Sequence, residues 1–287
     1  TMARPMDRND AGAPGDWYVD TNCIACDASR HVAPGLIGSD ESGRSIFLRQ
    51  PDGDEDLVAA YRALLVCPTR SVGNEEIRRP YPRAFPQALG DDVFRLGHNA
   101  RSSFGAHSYL VRRAAGNVMV DSPRWTREVV GPLDEMGGVA HILLTHRDDV
   151  ADVARYAERF GAQVWIHEAD SAAAPAACQL LTGTEPTYIR DDIVAFPVPG
   201  HTEGSVLFLV DGHLLFSGDS LAWSPASEHL SAFRNACWYS WDAQRDSLRR
   251  FAESGLQFDR LFCGHGWSHD LDAESFHASL VDLVARM

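Results

Sequence analysis

Four times along this chain a short apolar run ends and a histidine or aspartate follows two or three residues later. His146 follows His141–Leu144, His201 follows Phe196–Pro199, Asp219 follows Leu214–Phe216, and His265 follows Leu261–Cys263. Short apolar runs bounded by turn residues read as buried strands. Each of the four polar side chains therefore stands in the loop just past a strand end. Such loops are where sheet proteins carry their chemistry. Gly200, Gly218, Gly264 and Gly266 beside them permit tight turns and close backbone approach. For any one of the four, a hydrogen-bonded loop residue is the plainer reading. Four at one topological position point instead to a shared site.

The surrounding pattern sets the fold class. Strand-like runs occur at Ser108–Val111, Val118–Val120, His141–Leu144, Val164–His167, Ile193–Val198, Val206–Val210, His213–Phe216 and Arg260–Cys263. Helical runs occur at Thr126–Met136, Val150–Phe160, Ala243–Ser254 and Ala273–Met287. Early strands followed by alternating strands and helices predict an α/β fold with two sheets covered by helices. Asp211-Gly212 between apolar runs predicts a hairpin turn. Pro80, Pro82 and Pro86 cannot sustain a helix or a central strand, and they mark a domain boundary. It divides a small unit, residues 16–78, from a large one, residues 88–287. In the small unit Trp17-Tyr18-Val19 and Ile46-Phe47-Leu48 read as strands and Leu57–Leu65 as a helix. Thr1 before Met2 reads as an appended residue, and residues 1–14 are given no structural weight.

Composition removes several functions. All 26 basic residues are arginine, so there is no Schiff-base lysine and no P-loop lysine. The net charge of −14 argues against a nucleic-acid backbone as partner. No apolar run reaches the length of a membrane span and no leader opens the chain, so the expectation is a soluble, cytoplasmic protein without a membrane partner. Without an export signal, disulfides are not expected among six cysteines. Cys178, Cys237 and Cys263 read as small buried hydrophobes. No Gly-x-Ser-x-Gly elbow and no Gly-x-Gly-x-x-Gly fingerprint is present.

Thr145-His146-Arg147-Asp148, Pro199-Gly200-His201-Thr202-Glu203-Gly204, Ser217-Gly218-Asp219 and Gly264-His265-Gly266 resemble, in order, the motifs of the metallo-β-lactamase-fold superfamily. Asp121 resembles that family's early structural aspartate. The resemblance implies an αββα sandwich with metal ligands at His146, His201, Asp219 and His265, and Asp219 bridging if two metals bind. The family's first motif, His-x-His-x-Asp-His, is altered. Asp148 replaces the second histidine, and Val150-Ala151 stands for the Asp-His pair, which moves to Asp152-Val153 if two residues are inserted. Asp148 and Asp152 are thus the further candidate ligands. The alternative for Asp148, Asp149 and Asp152 is a set of helix N-terminal acids favoured by the dipole, and for Asp149 and Asp152 it is the preferred reading.

His146, His201 and Asp219 make the two-imidazole, one-carboxylate set that suits Fe(II) and oxygen. The family's persulfide dioxygenases use the equivalent residues, and its flavodiiron members place a carboxylate where Asp148 stands, so the resemblance implies one or two iron ions, with zinc or manganese as alternatives. His265 then either ligates or hydrogen-bonds a bound substrate, and with Asp148 it is the candidate catalytic residue. His107, His167, His229 and His269 lack the strand-end placement, and His107 is the best pocket-liner among them. Trp238, Tyr239 and Trp241 wall a substrate pocket, cover the small unit, or simply pack a core.

In the small unit Cys23-Ile24-Ala25-Cys26 and the distant Cys67-Pro68 resemble a single-cluster bacterial ferredoxin, with Ser29 where a third cysteine is expected. The resemblance implies a ferredoxin-like α+β domain. Either an iron–sulfur cluster persists on Cys23, Cys26 and Cys67 with Ser29, Asp27 or His31 as fourth ligand, or only the fold remains. A cluster would fit electron delivery. The leading expectation is a non-haem iron oxidoreductase or oxygenase acting on a small molecule with O₂ and an electron donor. The alternatives are a metallohydrolase of an ester, thioester or lactam, and a degenerate non-catalytic member.

Overall fold

The computed structural model describes residues 3–76 and 82–287, so Pro80 of the expected boundary lies outside the described residues. The chain forms two compact units, Thr1–Arg112 with Pro123–Gly137, and Arg113–Ser122 with Gly138–Met287.

In the first unit an antiparallel ladder pairs Trp17–Val19 with Val72–Asn74, and a hairpin pairs Ile37–Ser39 with Ser45–Phe47. Helices Ala28–Val32 and Gly53–Val66 close a core of Trp17, Val32, Leu36, Phe47, Tyr61 and Val66. An antiparallel meander of Gln87–Gly90, Val93–Arg95 and Tyr109–Val111 follows. Residues 3–14 do carry structure, contrary to the sequence reading. The Asn9 N–H donates to the Val19 carbonyl at 2.8 Å and the Ala13 N–H to that of Phe47 at 2.8 Å. Backbone bonding of this kind leaves no side-chain periodicity to read.

The second unit layers helix, sheet, sheet, helix. Its first sheet runs Val118–Val120, His141–Leu143, Gln163–His167 and Gln179–Leu181, all parallel. Helix Val153–Phe160 buries Val153 and Tyr156. The second sheet is ordered Thr187–Arg190, Ile193–Pro197, Val206–Val210, Leu214–Gly218, Arg260–Cys263, His269–Asp270. Its central strands are buried at every position, which is why they read as unbroken apolar runs rather than alternating ones. Val194, Phe196, Leu207, Leu209 and Leu215 pack with Leu248 and Phe251 of helix Trp241–Glu253 and with Phe276 and Leu280 of helix Ala273–Arg286. Truncating a fully buried phenylalanine such as Phe251 to alanine costs about 3–5 kcal/mol.

Asp211 and Gly212 both take positive φ, 54° and 73°, as a primed hairpin turn needs. Cys178 is exposed and Cys237 half-buried, correcting the reading of both as buried hydrophobes. Cys178 adjoins Gln179–Leu181, an edge strand with one side unpaired. Cys263 is buried as expected. Among the described residues no helix is long and apolar enough to cross a membrane.

Candidate metal centre

Several residues that follow strands of the second unit gather about one centre. Asp121 leaves Val118–Val120, His146 leaves His141–Leu143, His201 leaves Ile193–Pro197, Asp219 leaves Leu214–Gly218, and His265 leaves Arg260–Cys263. His146 Nε2 and His201 Nε2 each lie 3.7 Å from Asp219 Oδ2. The two imidazoles meet nearly edge-on, 4.6 Å between centroids at 89°. Two donors binding one ion at about 2.1 Å in tetrahedral geometry stand about 3.4 Å apart, close to this spacing. The ligand atoms of His146, His201 and Asp219 all lie within 4.8 Å of one another, and so do those of a second group, Asp149, Asp219 and His265. Asp219 belongs to both.

The polarity of the centre supports a cation. His146 Nε2, His201 Nε2 and both oxygens of Asp149 are buried without a hydrogen-bond partner. Each such group costs about 1–3 kcal/mol unless something satisfies it, and a convergent set of lone pairs is satisfied by a positive ion. The tautomer of His146 follows from its neighbours. The Thr145 hydroxyl lies 2.9 Å from Asp121 Oδ2 and 3.1 Å from Oδ1, and it donates to that carboxylate. It can then only accept from His146 Nδ1, 3.0 Å away, which leaves the Nε2 lone pair aimed at the centre. Burial pushes His146 down to about 4, so its ring is neutral, as a ligand must be.

The carboxylates divide by environment. Burial raises Asp219, but the adjacent His265, with its Nδ1 2.8 Å from Oδ2, and the other two imidazoles hold it well below the usual carboxylate range. Burial and the charges of Asp219, Asp121 and Asp148 push Asp149 well above its ordinary value. A divalent cation in contact reverses that balance. Asp148 stands at the rim with its side chain 43% exposed, its Oδ2 3.5 Å from His201 Nε2 and 4.0 Å from His146 Nε2. The interaction with His201 holds its carboxyl low.

Asp149, not Asp152, supplies the buried carboxylate. Residues Arg147–Asp149 form a 3₁₀ turn, in which side chains three apart eclipse, so Asp149 comes onto the same side as His146. Its Oδ1 is 4.0 Å from His146 Nε2. Asp152 takes the N-cap position of helix Val153–Phe160 and joins neither donor group. The sequence signal would have been the turn, which one histidine followed by a run of acids does not reveal. Gly264 is required for space: a Cβ there would sit 2.7 Å from Asp219 Oδ1 and 2.9 Å from Asp149 Oδ2.

The aromatic segment borders the centre by its backbone. The Trp238 N–H donates to the His201 carbonyl at 2.9 Å, and the Trp238 ring, 61% exposed, lies 6.3 Å from the His201 ring. Trp241 is engaged elsewhere, its Nε1 donating to the Met287 carbonyl at 3.2 Å. His107 lies in the first unit, its ring nitrogens 3.2 Å from Asn99 Nδ2 and 3.2 Å from His31 Nδ1.

In the first unit Cys23, Cys26 and Cys67 form no disulfide. The Ser71 N–H points at Cys67 Sγ at 3.2 Å and the Ser45 N–H at Cys23 Sγ at 3.4 Å. Burial, with the other two cysteines nearby, pushes the Cys26 thiol up to about 12. Of the suggested fourth ligands, the Ser29 hydroxyl bonds Ser45 Oγ at 3.1 Å and Asp27 pairs with Arg30.

Residues 19–74 match the 4Fe-4S single cluster domain of Ferredoxin I. A hydroxyacylglutathione hydrolase from Anaeromyxobacter dehalogenans is 34% identical over 102 residues, 36% of this chain and 34% of that protein, so the match spans about a third of the relative's length. Among solved structures, the DIM-1 metallo-β-lactamase is similar over 70% of this chain and 95% of its own, with TM-score 0.51 and 17% identity. TMB-1 is similar over 70% and 96%, with TM-score 0.54 and 15% identity.

Proposed function

Starting from a chain with the metallo-β-lactamase fold, we propose that its second unit is a dinuclear metal-dependent hydrolase that cleaves a carbonyl ester or thioester. The observation that carries this is Asp219, shared by two donor groups in which His146 Nε2, His201 Nε2 and both Asp149 oxygens are buried without a hydrogen-bond partner. The histidine and carboxylate donors, with no thiolate among them, suit zinc, manganese or iron. A divalent cation held there supplies Lewis acidity toward a carbonyl oxygen and a nucleophile drawn from water at neutral pH.

The chain's own residues do the rest. His146 and His201 present neutral Nε2 atoms, and the Asp121–Thr145 pair fixes the orientation of the first. Asp219 stays ionised between the two groups. Asp148, ionised and at the open rim, is placed to accept a proton as water adds to the carbonyl. His265, held through Nδ1 against Asp219, orients that carboxylate. The stretch shared with a hydroxyacylglutathione hydrolase supports hydrolysis.

A second reading, an iron-dependent oxidoreductase or oxygenase, draws on one observation: residues 19–74 match a single-cluster ferredoxin domain and keep Cys23, Cys26 and Cys67. One experiment separates the two. The protein is loaded with zinc, and separately with iron, under anaerobic conditions and given an acyl thioester of a small thiol. Hydrolysis with zinc and without O₂, lost in His146→Ala and Asp219→Asn, supports the proposal. Turnover that requires iron and O₂ refutes it and supports the second reading.

A further inference from the structure

The third parallel strand, Gln163–His167, also delivers a residue at its end, one that no motif includes: Asp170, in the 3₁₀ turn Glu168–Ala173. We propose that Asp170 is a positioning residue that locks the two histidine loops of the metal centre to each other; the idea rests on the metal-centre reading above. Its side chain is fully buried. Oδ2 accepts the backbone N–H of Arg147, next to His146, at 3.0 Å, and the hydroxyl of Thr202, next to His201, at 2.6 Å. Oδ1 has no hydrogen-bond partner and faces the Arg147 guanidinium at 3.9 Å.

One carboxylate oxygen therefore holds the residue after each histidine. Both bonds are charge-assisted, the stronger class of hydrogen bond. A buried carboxylate is costly to keep, and nothing in the local fold needs one, since the backbone already ties the loops through the Val206 N–H and the Thr145 carbonyl at 2.8 Å. What the carboxylate adds is a fixed distance between two imidazoles. It also accounts for two letters of the Pro199–Gly204 segment. Thr202 provides the hydroxyl, and Gly204 provides room, because a Cβ there would lie 2.6 Å from Asp170 Cγ and 2.9 Å from its backbone nitrogen.

The test measures zinc affinity of the full chain by competition with a chromophoric chelator, at a temperature where every variant is folded by circular dichroism. Asp170→Asn and Thr202→Val are each expected to loosen zinc by about tenfold or more, as loss of an outer partner does at metal sites. Thr202→Ser, which keeps the hydroxyl, restores the affinity. The double variant Asp170→Asn with Thr202→Val loses less than the sum of the two single ones, because both act on the shared Asp170–Thr202 bond. A merely structural aspartate would lower the melting temperature and leave zinc affinity unmoved. The idea is overturned if Thr202→Val binds zinc as tightly as the parent while His201→Ala does not. If Asp170→Asn does not fold, the Thr202 pair decides alone. Unchanged affinity in His201→Ala overturns the metal-centre reading and this inference with it.

Discussion

Replacing Gly264 with alanine should separate the two halves of the metal centre. The added methyl would stand 2.7 Å from Asp219 Oδ1 and 2.9 Å from Asp149 Oδ2, where ordinary contact begins near 3.4 Å. The two carboxylates must therefore retreat by about 0.5–0.7 Å, against the roughly 0.2 Å that a metal–ligand distance tolerates. Gly264 itself cannot yield easily, because it donates its own N–H to the Gly218 carbonyl at 2.9 Å, and Asp219 Oδ1 is held by the His265 N–H at 3.1 Å. The damage falls on the group formed by Asp149, Asp219 and His265. The group of His146 and His201 uses the other oxygen of Asp219 and is less affected. The expected outcome is a drop from two equivalents of metal toward one, with the second ion bound at least about tenfold more weakly. Overpacking of this kind costs about 1–3 kcal/mol, so the variant folds. Elemental analysis after dialysis, with calorimetric titration of zinc, reads the result. Two ions held at parental affinity would show that Asp149, Asp219 and His265 do not form a second metal site.

Further outcomes follow from the same geometry. Thr145→Val removes the hydroxyl that orients His146 and should weaken metal binding about 10–100-fold, read by chelator competition. In the metal-free protein His146 has its value depressed from 6.5 to about 4, so between those values the unfolded chain binds the extra proton. The His146 contribution should therefore be full above pH about 6.5 and lost, by about 3 kcal/mol, as pH drops to about 4; it is read as the parent-minus-His146→Gln difference in urea unfolding, because buried Asp149, pushed the other way, slopes the total profile oppositely. Asp152→Ala should leave metal content unchanged and cost no more than about 1 kcal/mol, because Asp152 stands at the N-cap position without a side-chain capping bond, a result that elemental analysis and a melting curve check together.

How much of this was legible in the sequence depended on burial. Strands buried at every position, such as Ile193–Pro197, Val206–Val210 and Leu214–Gly218, announce themselves as apolar runs. Strands with exposed positions do not: Gln87–Gly90, Gln179–Leu181, Thr187–Arg190 and His229–Ser231 are short and half solvated, and all four were missed. The cluster of His146, His201, Asp219 and His265 was readable because each follows closely on an apolar strand that announces itself. Asp149 read more plainly as a helix N-terminal acid, because its place in a donor group depends on a 3₁₀ turn, a conformation with no side-chain signature of its own. Asp170 was invisible for a related reason, since its partners are a backbone N–H and a hydroxyl far along the chain. The expected lean toward iron redox chemistry came from residue types, from the resemblance to iron-using members and from the ferredoxin-like unit, and residue types cannot separate a cation that activates water from one that activates oxygen.

The most direct measurement is anomalous X-ray scattering from crystals of the metal-loaded protein. The expected result is a peak within about 2.0–2.2 Å of His146 Nε2, His201 Nε2 and an Asp219 oxygen, with a second beside Asp149 and His265. Crystals soaked in saturating zinc that show no peak between those side chains, with the two imidazoles hydrogen-bonded to protein or water instead, would contradict it.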